Sequence, residues 1–275
     1  HVIRGDDHVA NTPRQILLYQ ALGWEPPRFG HVPLILGPDK KKLSKRHGAL
    51  SVMEYEKLGY LPEAMVNYLV RLGFSHGDQE LFSREELVEL FDTDGLSQSP
   101  AALDFKKLTW LNQHWMNQAE PARLAALLRD FLGRAIGPDA VADTPDALLE
   151  QLVPLLAPRA NTLVDMADAA RVFVTPAAHL AYDEKAVKKF LTEEARPLIE
   201  ALLDRLTELD DFSEEPLEAV CRGLIEERDL KFKALAQPVR VAITGRTASP
   251  GLFETMAVLG KAETIARLKR ALEIS

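Results

Sequence analysis

Two short apolar β signals, "HVI" at residues 1–3 and "HVPLIL" at residues 31–36, flank one helical stretch, and no comparable signal follows them in the 275 residues. This arrangement decides the class of fold. The intervening "NTPRQILLYQALG" carries Thr12 as N-cap, Pro13 at the first helical position and Gly23 just past the end. An apolar run without polar alternation, following a helix, reads as a buried parallel strand, so the opening segment predicts a βαβ crossover. Ligands of such units gather beyond the C-terminal ends of the strands. There the chain places "GPDKKKLSKRHGALSV", with Lys40, Lys41, Lys42, Lys45 and Arg46 within seven residues.

Everything after residue 50 has helical spacing. "LPEAMVNYLVRLG" sets Met65, Leu69 and Leu72 on one face and stops at Gly73, "SREELVELF" opens with a Ser83–Glu86 capping box, and "DFKKLTWLNQHWM" begins at Asp104 with Leu108, Leu111 and Trp115 along one stripe. Ala/Leu-rich helices punctuated by Pro and Gly fill the rest, with Thr175 to Asp183 as the best internal boundary. The spacing of Trp110 and Trp115 predicts core positions, whereas Lys106 and Lys107 read equally as phosphate contacts or as a solvated face.

Charge is divided in a way the net value of -8 conceals. Residues 1–50 hold 8 Lys/Arg against 4 Asp/Glu, residues 51–229 hold 17 against 34, and residues 230–275 hold 8 against 3. Local basic patches, not the sum, govern binding to polyanions, so an acidic total leaves phosphate recognition open. No apolar run approaches the ~20 residues needed to cross a bilayer, which predicts a soluble, cytoplasmic chain. The lone Cys221 rules out an intrachain disulfide or a cysteine-based zinc cluster and reads as a helix core position. The opening "HVIRGDDH" starts as though inside a strand, which suggests a C-terminal portion of a longer protein.

By itself "KLSKR" fits either a solvated basic loop or a phosphate site. After a buried strand and a Gly-Pro-Asp turn, ammonium groups and backbone N–H can fold over a triphosphate. Asp6, Asp7 and His8 read as caps of a strand-to-helix turn; a metal cluster of His1, Asp6, Asp7 and His8 is the alternative on ligand type, but adjacent residues on a strand end point in different directions.

The segments "HVIRGDDHVANTPRQILLYQALGWEPPRFGHVPLILGPDKKKLSKRHGALSV", "GYLPEAMVNYLVRLGFSHGD", "LDFKKLTWLN" and "AQPVRVAITGRTASPGLFETMAVLGK" together resemble bacterial-type glutamyl-tRNA synthetase, a class I enzyme, with "KLSKR" similar to its KMSKS loop. The resemblance implies a mainly α chain in three parts. Residues 1–45 would be the end of a Rossmann-like catalytic domain, 46–117 a stem-contact-type connecting region, and 118–275 an all-α anticodon-binding region with a subdivision near 175–183. Family features absent from the sequence are the HIGH-type signature, part of the glutamate pocket, the acceptor-end-binding insertion and the zinc site of some members.

The implied reaction is glutamate–tRNA ligation. Glutamate attacks the α-phosphate of ATP with Mg2+ present, and the adenylate then acylates tRNA(Glu). Carried over by motif, Lys45 and Lys42 are catalytic, with Lys45 the chief stabiliser of developing phosphate charge. ATP would be bound by Asp7, Ile35, Lys42, Leu43, Ser44, Lys45 and Arg46, with Ile35 and Leu43 meeting adenosine through backbone groups. Arg4 would help hold L-glutamate, since a guanidinium fork suits a carboxylate. Arg159 in "LAPRANTL" would read an anticodon base, either a guanine in bidentate fashion or a cytosine edge. The resemblance implies a monomer without a resident metal in this portion, inactive alone because half of the nucleotide site is missing. From another class, a noncatalytic tRNA-binding module derived from this family stands as the alternative.

Overall fold

The computed structural model describes residues 1–37, 39–43 and 51–274. The chain is mainly helical, and its contacts divide it into two compact units, His1–Gln118 and Ala119–Ser275.

The first unit opens with the expected crossover. Strand β1 (Val2–Gly5), helix α1 (Thr12–Ala21) and strand β2 (Phe29–Val32) form a parallel pair in which Arg4 lies opposite His31 and Gly5 opposite Val32. Two expectations are corrected here. The second strand ends at Val32 and is half-buried, because Pro33 has no N–H for the ladder and the sheet has only two strands among the described residues. Helix α1 starts at Thr12 with Asn11 as N-cap. The 3-10 turn Asp6–Asn11 already brings the chain in with helical dihedrals, so no extended capping residue precedes it.

Helices α2 (Val52–Lys57), α3 (Pro62–Arg71), α4 (Arg84–Leu90) and α5 (Phe105–Gln118) complete this unit. The Ser83–Glu86 capping box is formed in both directions. Asp104 accepts from the backbone N–H of Lys106 and Lys107 at 2.9 and 3.3 Å and starts α5 as expected. Helices α3 and α5 pack together and are pinned by buried amides. Asn112 accepts from Leu61 N–H at 2.8 Å, and Asn67 accepts from Phe82 N–H and from Trp115 Nε1–H, both at 3.2 Å.

The expected stripe of α3 fails at Leu69, and the expected core position of Trp110 fails on α5. Leu69 is 43% exposed, since the buried face of α3 runs through Ala64, Met65 and Tyr68. Trp110 is 44% exposed because Leu108, Leu111 and Met116 define the buried face of α5, and position 110 turns about 200° away from 108. The Lys107 ammonium lies 4.5 Å over the Trp110 ring and 2.7 Å from Glu80, so Lys107 is engaged by the protein and not merely solvated.

In the second unit α6 (Pro121–Ile136) packs on α7 (Asp146–Leu156) and α8 (Leu163–Val174). Helices α9 (Glu184–Phe190), α10 (Arg196–Glu208), α11 (Glu214–Glu227), α12 (Lys233–Thr244) and α13 (Leu252–Ile274) share a core that includes Leu202, Leu217, Leu235, Val239, Met256 and Leu268. Cys221 is buried in that core and its thiol pKa is pushed up to about 12 by desolvation first and by Glu218 second, as suits an inert core thiol. Among the described residues no helix is long and apolar enough to cross a membrane.

The two helical groups are joined by a buried cation. The side chain of Arg267 on α13 has no exposure. It donates to Val172 O at 2.8 Å and Thr175 O at 2.7 Å, at the end of α8, to Ile243 O at 2.7 Å near the end of α12, and to Glu263 Oε1 at 2.8 Å. Helix C-termini leave orphan carbonyls and partial negative charge, and one guanidinium answers both for two helices. Gly245, at φ 71°, ends α12 beside Ala181, whose carbonyl oxygen would lie 2.0 Å from any added Cβ. Replacing Arg267 by Met leaves one buried and two partly buried carbonyls without donors and is expected to lower the stability of residues 119–274 by about 3 kcal/mol. Chemical denaturation followed by circular dichroism checks this, and a loss under ~1 kcal/mol contradicts the shared-cap role.

Candidate functional site

The ends of β1 and β2 and a basic hairpin meet in the first unit. Beyond Val32 the chain runs to Leu36, which donates its N–H to Ala101 O at 2.8 Å and accepts from Leu103 N–H at 2.9 Å. A tight reversal follows, held by Gly37 N–H to Lys41 O at 2.8 Å, Lys40 N–H to Gly37 O at 2.9 Å and Leu43 N–H to Ile35 O at 3.1 Å. Asp39 accepts from Lys41 N–H at 3.1 Å, and Lys40 sits at φ 60°. The hairpin is thereby stitched to the chain around Ala102 on one side and closed on itself on the other.

This geometry delivers Lys42 to Asp7, 35 residues away in sequence, with Nζ to Oδ2 at 2.9 Å. Gly5 makes room for the contact, because a Cβ there would fall 2.6 Å from Asp7 Oδ1. The Lys42 hydrogen bond, opposed in part by desolvation, holds the Asp7 carboxyl below the usual carboxylate range. Side-chain exposures of 64% for Lys42 and 36% for Asp7 mean that the pair adds little to stability. Its consequence is positional, since it parks an ammonium at the strand ends.

Arg4 points from β1 into a neutral setting. Its Nη2 donates to Thr12 Oγ1 and Gln15 Oε1, both at 2.8 Å, its Nε faces His31 Nε2 at 3.5 Å, and its guanidinium lies 5.2 Å from the centre of the Phe29 ring. No local sequence signal marks Thr12, Gln15 and His31 as neighbours of Arg4. Thr12 looked like a cap, and the pairing of Arg4 with His31 depends on a strand register that spans 27 residues.

Arg159 ends the 3-10 turn Ala157–Arg159 in the second unit, after α7. It is exposed, donates from Nη1 to Leu155 O at 2.8 Å and stands 3.8 Å from Glu254 Oε2 on α13. Of the other expected site residues, Asp7 and Lys42 are brought together, and Ile35 and Leu43 bond each other across the hairpin. Ser44, Lys45 and Arg46 lie outside the described residues. Among the described residues no three His, Cys, Asp or Glu side chains are grouped to hold a metal ion.

Comparison with known proteins gives two family matches. Residues 1–110 match the catalytic domain of class I tRNA synthetases (E and Q), and residues 123–272 match an anticodon binding domain. The chain is 52% identical over 274 residues to a glutamate–tRNA ligase of Nitratidesulfovibrio vulgaris, covering all of this chain and 58% of that protein. It is 50% identical over 271 residues to one of Geobacter sulfurreducens, covering 98% and 57% respectively. A crystal structure of a glutamate tRNA ligase from Elizabethkingia meningosepticum in complex with its amino acid superposes with a TM-score of 0.84 at 28% identity, over 99% of this chain and 57% of that one. The chain thus spans under three fifths of the length of the relatives it matches.

Because Asp7 is depressed by Lys42, the stabilisation from their contact is complete above the ordinary carboxylate range and is lost as pH falls through the lowered value. Carboxyl 13C titration of residues 1–275 should show Asp7 titrating below an ordinary aspartate, and Lys42→Met should move it upward. A midpoint indifferent to that substitution would mean that the pair does not persist in solution.

Proposed function

The chain belongs to the glutamate–tRNA ligase family of class I tRNA synthetases, and on that premise we propose that it is the part of such an enzyme that works the phosphate side of ATP and reads the anticodon. The substrates are L-glutamate, ATP with Mg2+ as the nucleotide's counterion, and tRNA(Glu), in the cytoplasm. Residues 1–45 end the nucleotide-binding domain, 46–117 follow the stem of the tRNA, and 118–275 bind the anticodon region, with a subdivision near 175–183.

The observation that carries this reading is the Asp7–Lys42 ion pair at the strand ends. It unites two residues for which the family motifs imply ATP contact, and it keeps a cation ready where phosphate charge would develop. Binding of a triphosphate offers Lys42 a stronger anion than one exposed carboxylate, so the ammonium transfers from Asp7 to the nucleotide. Lys45 and Arg46, farther along the loop, meet the pyrophosphate as the α-phosphate bond breaks, and Ser44 adds a hydroxyl. Leu43 N–H and Ile35 C=O are already bonded to each other, which leaves Ile35 N–H and Leu43 C=O as the backbone groups for adenosine. Arg4 holds a carboxylate of glutamate, and Arg159, swinging away from Glu254, reads an anticodon base.

In the full-length ligase Lys45→Ala should lower glutamate-dependent ATP–pyrophosphate exchange, assayed with tRNA present, by ~10^2 or more while changing tRNA affinity little. Weakened tRNA binding with exchange intact would return the loop to the status of a polyanion patch.

A further inference from the structure

Arg4 has a support that its sequence position does not reveal. Arginine carries five N–H donors in a fixed fork. Here Nε and Nη2 are directed at His31, Thr12 and Gln15, which leaves the two N–H groups of Nη1 without a partner among the described residues. Among the described residues none of these contacts is to a carboxylate. The acceptors are a hydroxyl oxygen at 2.8 Å, an amide oxygen at 2.8 Å and an imidazole nitrogen at 3.5 Å, and the Phe29 ring lies against the guanidinium. The nearest hydroxyl is itself oriented, because Thr12 Oγ1 sits 3.0 Å from His31 Nε2 while it accepts from Arg4. An imidazole nitrogen has a single in-plane lone pair, so an acceptor His31 Nε2 takes either the Arg4 Nε–H or the Thr12 hydroxyl proton, and the hydroxyl also has His8 O at 3.4 Å as an acceptor.

We infer that Thr12, Gln15 and His31 are positioning residues that hold the Arg4 guanidinium rigid without a carboxylate among the described residues, so that its Nη1 edge is tuned for the carboxylate of the amino-acid substrate. The inference rests on the proposed ligase reading and adds to it the origin of anion selectivity at Arg4. A carboxylate in place of any of the three neutral acceptors would fix the fork just as firmly but would neutralise it before substrate arrived. An unsupported arginine would retain its charge and lose orientation on binding. The neutral bracket avoids both losses, because immobilisation precedes binding and the attraction is kept for the ligand.

Gln15→Glu separates this role from a structural one. A carboxylate keeps the hydrogen bond and adds an ion pair, so a residue that served only the fold would be improved by it. In the full-length ligase, exchange kinetics of Gln15→Glu should show the glutamate KM rising ~10-fold or more, with kcat and the ATP KM each moving less than ~3-fold and no loss of thermal stability. Thr12→Val should raise the glutamate KM by several-fold, and Thr12→Ser, which restores the hydroxyl, should return it near the original value; this pair decides the matter if Gln15→Glu does not fold. A glutamate KM unchanged in Gln15→Glu and Thr12→Val overturns the bracket, as does a parallel rise of both KM values with a lower melting temperature. Absence of glutamate-dependent exchange in the unsubstituted enzyme would overturn the ligase reading and the bracket together, whereas normal exchange with unaltered variants removes only the bracket.

Discussion

The register of one parallel strand pair governs the first unit. Arg4 opposite His31 and Gly5 opposite Val32 is one of two choices available to a pleated pair, and a slip by one residue would turn Arg4 to the other face and part it from Thr12 and Gln15. The same register sets where each strand ends. Gly5 releases the chain into the turn that carries Asp7, and Val32 releases it toward the hairpin that carries Lys42, so both arms of the ion pair leave the sheet from neighbouring positions. Pairing of Leu36 with the Ala101–Leu103 segment then prevents the hairpin from drifting. Four residues of strand on each side are a small structure, yet they fix the positions of an arginine, a lysine and an aspartate drawn from two separate stretches of sequence.

In the second unit the organising device is electrostatic. Helical groups α6–α8 and α9–α13 each bury their own apolar faces, and Arg267 binds carbonyls contributed by both. A buried cation is costly unless each donor is satisfied, and here the partners are two helix C-termini and one carboxylate, which suit positive charge. Arg159 illustrates the opposite circumstance. It is exposed and has one backbone acceptor and a carboxylate at 3.8 Å, which leaves most of its fork open to a ligand.

Local rules exposed much of this in the sequence. The crossover, the Ser83–Glu86 capping box, the Asp104 cap and the Ala/Leu helices all follow from signals confined to a few residues. Harder to read were features set by a partner element. Trp110 lies in a helix rich in apolar residues, but which face meets α3 is decided by Leu108, Leu111 and Met116, and that orientation turns the indole outward. Arg267 in "TIARLKRALE" looks like an ordinary surface cation, and α13 changes phase at Gly260, where φ is 76°, so periodicity counted across that point misplaces its buried face. At the candidate site the motif residues Arg4, Asp7 and Lys42 were legible, whereas Thr12, Gln15 and His31 needed the strand register and the first turn of α1 to become neighbours. The premature end of β2 was legible in principle, since Pro33 stands inside the apolar run and cannot donate to a ladder.

A chain of net charge -8 that concentrates cations at one hairpin and near its end has arranged local attraction for phosphate against a repulsive average. We propose that in the full-length protein this arrangement serves ester formation between glutamate and tRNA. Its most direct measurement is the glutamyl ester itself, detected as periodate protection of the terminal ribose when the full-length protein is incubated with glutamate, ATP, Mg2+ and total bacterial tRNA. The account predicts protection that requires both ATP and glutamate and that falls on glutamate-accepting tRNA. Protection absent under all conditions, or equally present without ATP, would contradict it.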